Sequence, residues 1–175
     1  MPSNKRNARR TDLSGLLEGL CGAGIEFILV GGLAAVIQGA PVTTMDLDIV
    51  HRQTPDNIDK LLDFLKAIEA CHRRLDDKTL EPTAEQLSAP GHCLLRTRFG
   101  PLDVLSAIEH GQSYDELLAH TVEIEFRNHT LRVLRLDTLI KLKESSNDPK
   151  DRQRLPILKE TLRQLTPGSR APGSS

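Results

Sequence analysis

No apolar run in this 175-residue chain comes near the ~20 residues of a membrane-spanning helix, so no helical membrane span is expected. The basic first ten residues lead into no apolar segment, and no secretory signal is expected. Cysteines number only three, Cys21, Cys71 and Cys93, an odd and widely spaced set. That excludes a disulfide framework and suits a reducing, cytoplasmic setting. Tryptophan is absent, and the aromatic residues are Phe27, Phe64, Phe99, Tyr114 and Phe126. A platform of stacked aromatics for single-stranded nucleic acid is therefore not expected. The chain has no internal repeat, no Walker Gly-Lys-Ser/Thr loop and no G-x-G-x-x-G dinucleotide fingerprint.

What is present is ordinary for one globular domain: 38% apolar and 27% charged residues. The net charge of −1 conceals an asymmetry. Lys5, Arg6, Arg9 and Arg10 form an acid-free start; without them nineteen basic residues face 24 acids. An acidic body with a basic tail does not suit a broad phosphate-backbone binder. Residues 1–11 read as a disordered basic tail, 12–165 as a single domain, and the Pro/Gly/Ser-rich 166–175 as a second disordered end.

Between the tails, helix and strand signals alternate and predict an α/β (α+β) domain: a mixed β-sheet flanked by helices, with a helical C-terminal end. Leu13, Leu16, Leu17 and Leu20 make a helical stripe that Gly22 and Gly24 stop. Phe27–Val30 is a buried strand, Leu33–Gln38 a short helix and Leu47–Val50 a second strand. Thr54-Pro55 opens a helix carrying Ile58, Leu61, Leu62, Leu65 and Ile68. A short helix is expected near 83–88, and strands over Cys93–Arg98 and Leu102–Leu105. Ser113 with Glu116 has capping-box spacing and opens a helix to about Ala119. Thr121–Phe126 and Thr130–Leu134 alternate as a hairpin. Asp137 is expected to cap a helix to about Ser145, and Pro156 to break or kink a last helix over 150–165.

Chemistry concentrates between Phe27 and Val50. Asp46 and Asp48 stand two apart at a strand, so both point to one face while Leu47 and Ile49 turn to the core. Two neighbouring carboxylates repel, and a hard divalent cation such as Mg²⁺ removes the conflict. Upstream, Gly31-Gly32 joins a strand to a helix, where free backbone N–H groups suit phosphate and glycine permits close approach. Thirteen residues separate Gly32 from Asp46, and a third acid, Asp103, sits in the apolar segment Leu102–Leu105. If that strand neighbours the pair, three carboxylates converge in the arrangement used for in-line phosphoryl transfer. Taken singly, each feature is also what an acidic edge strand or a tight turn provides; the combination carries the signal.

The combination resembles the nucleotidyltransferase superfamily of the DNA polymerase β type. Within it the chain is similar to small bacterial minimal nucleotidyltransferases and the AbiEii toxin-like branch. The matching residues are Gly31-Gly32, Thr44 two before the first acid, Asp46-Leu-Asp48 and Asp103. A weaker match is Leu139-Ile140 through Lys143, followed by Lys150-Asp151. The resemblance spans roughly residues 25–160. The chain departs from it where relatives carry Arg, at Val42 and Asn147, and where they carry Asp, at Arg154.

The resemblance implies an Mg²⁺- or Mn²⁺-dependent enzyme moving an NMP group from an NTP to a hydroxyl of RNA or tRNA, a protein or a small molecule. It implies Asp46, Asp48 and Asp103 as metal-holding catalytic acids. Gly31, Gly32, Thr44, Lys143 and Lys150 would be phosphate contacts, with Asp151 orienting Lys150. A toxin role would bring an antitoxin partner. The alternative is a catalytically silent relative that binds nucleotide or a partner. Elsewhere, Cys71-His72 and His92-Cys93 fit no standard zinc spacing. His51 is read as a surface histidine and Cys93 as a core thiol.

Overall fold

A computed structural model describes residues 10–76 and 78–166. The expected tails fall for the most part outside the described residues. Seven helices, α1 (Leu13–Gly22), α2 (Gly31–Ile37), α3 (Pro55–Ala67), α4 (Ala84–Ser88), α5 (Tyr114–Leu117), α6 (Leu136–Glu144) and α7 (Pro149–Leu165), accompany seven strands. The strands are β1 (Phe27–Val30), β2 (Leu47–His51), β3 (Cys71–His72), β4 (His92–Thr97), β5 (Gly100–Leu105), β6 (Thr121–Phe126) and β7 (His129–Leu134). They form one mixed sheet in the order β3-β4-β5-β2-β1-β7-β6. β5 runs parallel to β2, and β7 parallel to β1; the other neighbours are antiparallel.

The centre of the sheet is the core. Ile28, Leu29, Leu47, Ile49, Leu102, Val104 and Val133 are all buried, as the short apolar runs require. Helix α1 lays Leu16, Leu17 and Leu20 inward and approaches α3 so closely that a side chain at Gly19 would strike the Phe64 ring. α3 buries Ile58, Leu61 and Leu65, the stripe expected from its periodicity.

Several local expectations give way to tertiary contacts. α2 begins at Gly31 rather than Leu33, because Gly31 takes φ +71° and turns the chain directly from strand to helix. The two-residue β3 has no periodicity to betray it. Ser113 makes no side-chain cap, and α5 is a single turn continued by a 3₁₀ turn to His120. α6 starts at Leu136, not after a cap at Asp137: Leu136 is buried, and its N–H donates to Gln38 Oε1 at 3.0 Å. Asp137 instead accepts from the Thr138 N–H. Pro156 lies inside an unbroken α7. It removes one helical donor only, while buried Leu158 and Thr161 hold the following turns against the body.

His51 is the clearest correction. It is 2% exposed, with Nε2 2.7 Å from the Leu87 carbonyl and Nδ1 3.0 Å from the Leu105 carbonyl. Its ring ties the end of β2 to α4 and to β5. Burial pushes the imidazole below its ordinary pKa, and the two carbonyls pull the other way. Replacing His51 with phenylalanine keeps a ring but removes the single N–H that the neutral imidazole can donate to one of these carbonyls. Urea unfolding should show a loss of ~2 kcal/mol.

Candidate active site

The site acids come together at one end of the sheet. Asp48 in β2 pairs in register with Asp103 in β5, and Asp103 pairs with Leu94 in β4. Directly opposed residues share a face, so Asp48, Asp103 and Leu94 form one row. Val30, the last residue of β1, continues the row beyond Asp48. Asp46 lies one residue before β2, more exposed than Asp103, on the same side as Asp48 by the two-residue period. The condition set by the sequence, that Asp103 neighbour the Asp46–Asp48 pair, is met.

Asp48 is the electrostatic focus. Burial, a hydrogen bond with Asp103 and the charges of Asp103 and Asp46 push its carboxyl up to about 7, with Arg73 pulling downward. Below that pH Asp48 holds a proton that it can donate to Asp103. Three carboxylates at this density call for a cation, and an all-oxygen donor set suits Mg²⁺ or Mn²⁺. The donor chemistry therefore fits the ion. Among the described residues, no group of three or more carboxylate, imidazole or thiol side chains is placed to hold a metal ion as the side chains stand.

The Gly-Gly turn lies against these acids. A Cβ at Gly31 would land on Asp48 Oδ2, and one at Gly32 would meet Thr44 Oγ1 at 2.9 Å. Neither position has room for a side chain. Thr44 donates its hydroxyl to the Asp46 carbonyl at 3.1 Å, which folds the segment before β2 over the turn.

Beside Gly31 and Asp48 opens a cavity of about 200 Å³. Leu105, Ile108, Leu134, Leu139 and Leu142 supply its apolar walls, and Lys143 and Asp151 its charged edge. Lys143 Nζ donates to Asp151 at 2.9 Å, and its side chain is only 16% exposed. Burial alone would raise the Asp151 acid; hydrogen bonds from Lys143 and Ser146 outweigh it and hold the group below its usual value. Asp151 thus orients Lys143, not Lys150. Adjacent helical residues point apart, and Lys150 is exposed, with its backbone N–H capped by Asp148.

Two arginines join the site without a signal in their local sequence. Arg154 reaches from α7 to donate to the Thr43 carbonyl at 2.9 Å. Its Nη1 lies 3.5 Å from where a Gly32 Cβ would stand, and its charge helps hold Asp151 below its usual value. Arg73 follows β3, hydrogen-bonds Asp103 through Nη2 and places Nη1 3.9 Å from Asp46 Oδ1. A charge at the expected-Asp position 154 was visible in the sequence, but its direction was not. Of the other candidates, His92 lines the cavity beside Gly31 and Asp48, and the rest are engaged elsewhere. His72 meets Gln86 at 2.8 Å, Arg96 donates to Cys71 Sγ, and Cys93 is buried in β4.

No protein-family model and no curated protein matches the sequence. Solved structures do match. The lincosamide antibiotic adenylyltransferase LnuA, solved with lincomycin, superposes with a TM-score of 0.57 at 14% identity, over 85% of this chain and 95% of that one. ANT(2″)-Ia in complex with adenylyl-2″-tobramycin gives 0.53 at 12% identity, over 86% and 89%. An antigenic nucleotidyltransferase-like protein from Paracoccidioides brasiliensis gives 0.56 at 16%, over 90% and 76%. At these identities the likeness establishes the fold: a mixed sheet with flanking helices of the nucleotidyltransferase type. Among the described residues, no helix is long and apolar enough to cross a membrane.

Proposed function

We propose that this protein is a divalent-metal-dependent nucleotidyltransferase that moves an NMP group from an NTP to an acceptor hydroxyl. The observation that carries the reading is the meeting of Asp46, Asp48 and Asp103, from separate parts of the chain, against the side-chain-free turn at Gly31 and Gly32. The fold shared with adenylyltransferases supports it without assigning a substrate.

Each residue then has a task. Gly31 and Gly32 let the phosphates lie against the backbone, and Thr44 holds the segment before β2 over that turn. Arg154 and Lys143 offer positive charge on either side of it. Asp46, Asp48 and Asp103 would hold the metal, which when bound supplies charge neutralisation on the phosphates. Asp103, at the far side of Asp48 from Gly31, is placed to take the proton of the attacking hydroxyl. The aliphatic cavity beside Asp48 receives the uncharged part of a substrate. The lincomycin and tobramycin complexes of the solved neighbours put hydroxyl-bearing small molecules first among acceptors to screen, ahead of RNA ends and protein hydroxyls.

A catalytically silent protein that only binds nucleotide is the second reading, and the Arg73–Asp103 contact is the observation in its favour. Calorimetric titration of ATP, GTP, CTP and UTP with Mg²⁺ tests the proposal. Wild type should bind at least one nucleotide, and Asp46→Ala/Asp48→Ala none. Arg154→Ala should bind ~10-fold more weakly, the loss of one charge-assisted contact. No binding by wild type would overturn the reading. Binding without transfer to any acceptor would favour the silent one.

A further inference from the structure

Among the described residues, Arg73 is the one cation in contact with the site acids. Its backbone N–H donates to the Leu94 carbonyl at 2.9 Å, so it prolongs the row of Leu94, Asp103 and Asp48 by one strand position. From there its side chain returns across β4 to the acids. One guanidinium nitrogen hydrogen-bonds Asp103, and the other points towards Asp46. Side-chain exposure is 31% for Arg73 and 17% for Asp103, so the contact is half out of water and screened less than a surface pair.

We propose that Arg73 is the positioning residue of the metal site: it holds Asp103 and faces Asp46 as an internal counter-ion, and a divalent ion must displace it to gain Asp103. This rests on the metal-dependent reading above. The guanidinium carries one charge and takes one oxygen of Asp103 in a fixed fork geometry. A divalent ion needs the same oxygens, so the two compete, and the protein's affinity for the bare ion is reduced by the stability of the arginine contact. The phosphates of a nucleotide add negative charge at Gly31 and tip the balance. The free protein therefore takes up metal weakly, and nucleotide and ion load together. Displaced from Asp103, the guanidinium stands at the acceptor side of the acids.

The test uses Mn²⁺ alone, with binding read by electron paramagnetic resonance and calorimetry on the full chain. Arg73→Gln should bind Mn²⁺ ~10-fold more tightly than wild type, the factor that ~1.4 kcal/mol of lost competition gives, with Arg73→Lys between them. A second readout needs no variant. In wild type, phenylglyoxal should modify Arg73 faster when Mn²⁺ is saturating, measured by peptide mass spectrometry. Equal or weaker Mn²⁺ binding by a folded Arg73→Gln overturns the inference and leaves the metal-dependent reading standing. So does labelling that Mn²⁺ leaves unchanged or slows. If neither protein binds Mn²⁺ with or without nucleotide, both fall. If Arg73→Gln fails to fold, the labelling rate decides alone.

Discussion

Replacing Asp48 with asparagine should abolish transfer and at the same time make the metal-free protein more stable at pH 8. On the proposed reading the loss of transfer should be ~10³-fold or more in kcat/KM, because a metal-holding carboxylate and its charge disappear together. The gain in stability follows from linkage. The Asp48 carboxyl rises from 3.8 to about 7 on folding. Between those values the native state binds more protons than the unfolded chain, so stability falls as pH rises through that window. Below about pH 4 the penalty is absent, and above about pH 7 it is complete. Its upper bound is ~4 kcal/mol, from ~1.4 kcal/mol per pH unit. Asparagine has no proton to lose and can still donate to Asp103. Thermal melts in chelator should give the variant a melting temperature higher by ~5 °C at pH 8, shrinking towards zero near pH 4. Saturating Mn²⁺ should raise the melting temperature of wild type and leave the variant unmoved. A variant no more stable than wild type at pH 8 would mean that the three acids do not strain the apo fold.

Gly31→Ala should be far more damaging than Gly32→Ala. Gly31 has φ +71°, and its missing Cβ is where Asp48 Oδ2 sits. Alanine there meets backbone strain and a carboxylate already crowded by two others. The expected cost is ~2–4 kcal/mol in chemical denaturation, with nucleotide binding lost even in protein that remains folded. Gly32→Ala is the control, since its φ is not in the left-handed region and the contact it would make is with the Thr44 hydroxyl. Binding should weaken there with a smaller loss of stability. Equal effects at both positions would show that Gly31 serves the turn and not the acids.

The sequence made the central strands and the acids legible because their signals are local. Phe27–Val30 is an unbroken apolar run, and Asp46-Leu-Asp48 reads its own alternation. The convergence of Asp103 was not legible. It depends on β5 lying parallel to β2, which no local pattern dictates. The starts of α2 and α6 rest on features outside their apolar patterns: the left-handed turn at Gly31 and a distant partner at Leu136. Gln38 caps Leu136, and Asp48 fills the space beside Gly31. His51 looked like a polar residue at a strand end; only the carbonyls of Leu87 and Leu105 make it interior. Arg73 and Arg154 were hidden because long side chains act far from their own backbone. The two-residue β3 that launches Arg73 is too short to carry any period.

The pairing of Asp48 with Asp103 also acts as a key for strand alignment. Along β2 and β5 the partners are Leu47 with Leu102, Asp48 with Asp103, Ile49 with Val104 and Val50 with Leu105. Sliding β5 by a single residue would turn Asp103 to the side where Leu102 and Val104 are buried. Sinking a carboxylate there is costly, so the reactive row rejects the wrong alignment of an otherwise uniformly greasy strand pair. A relative without catalysis would still have a folding reason to keep both aspartates. Their retention in such a relative would record the architecture of the sheet as much as the survival of an activity.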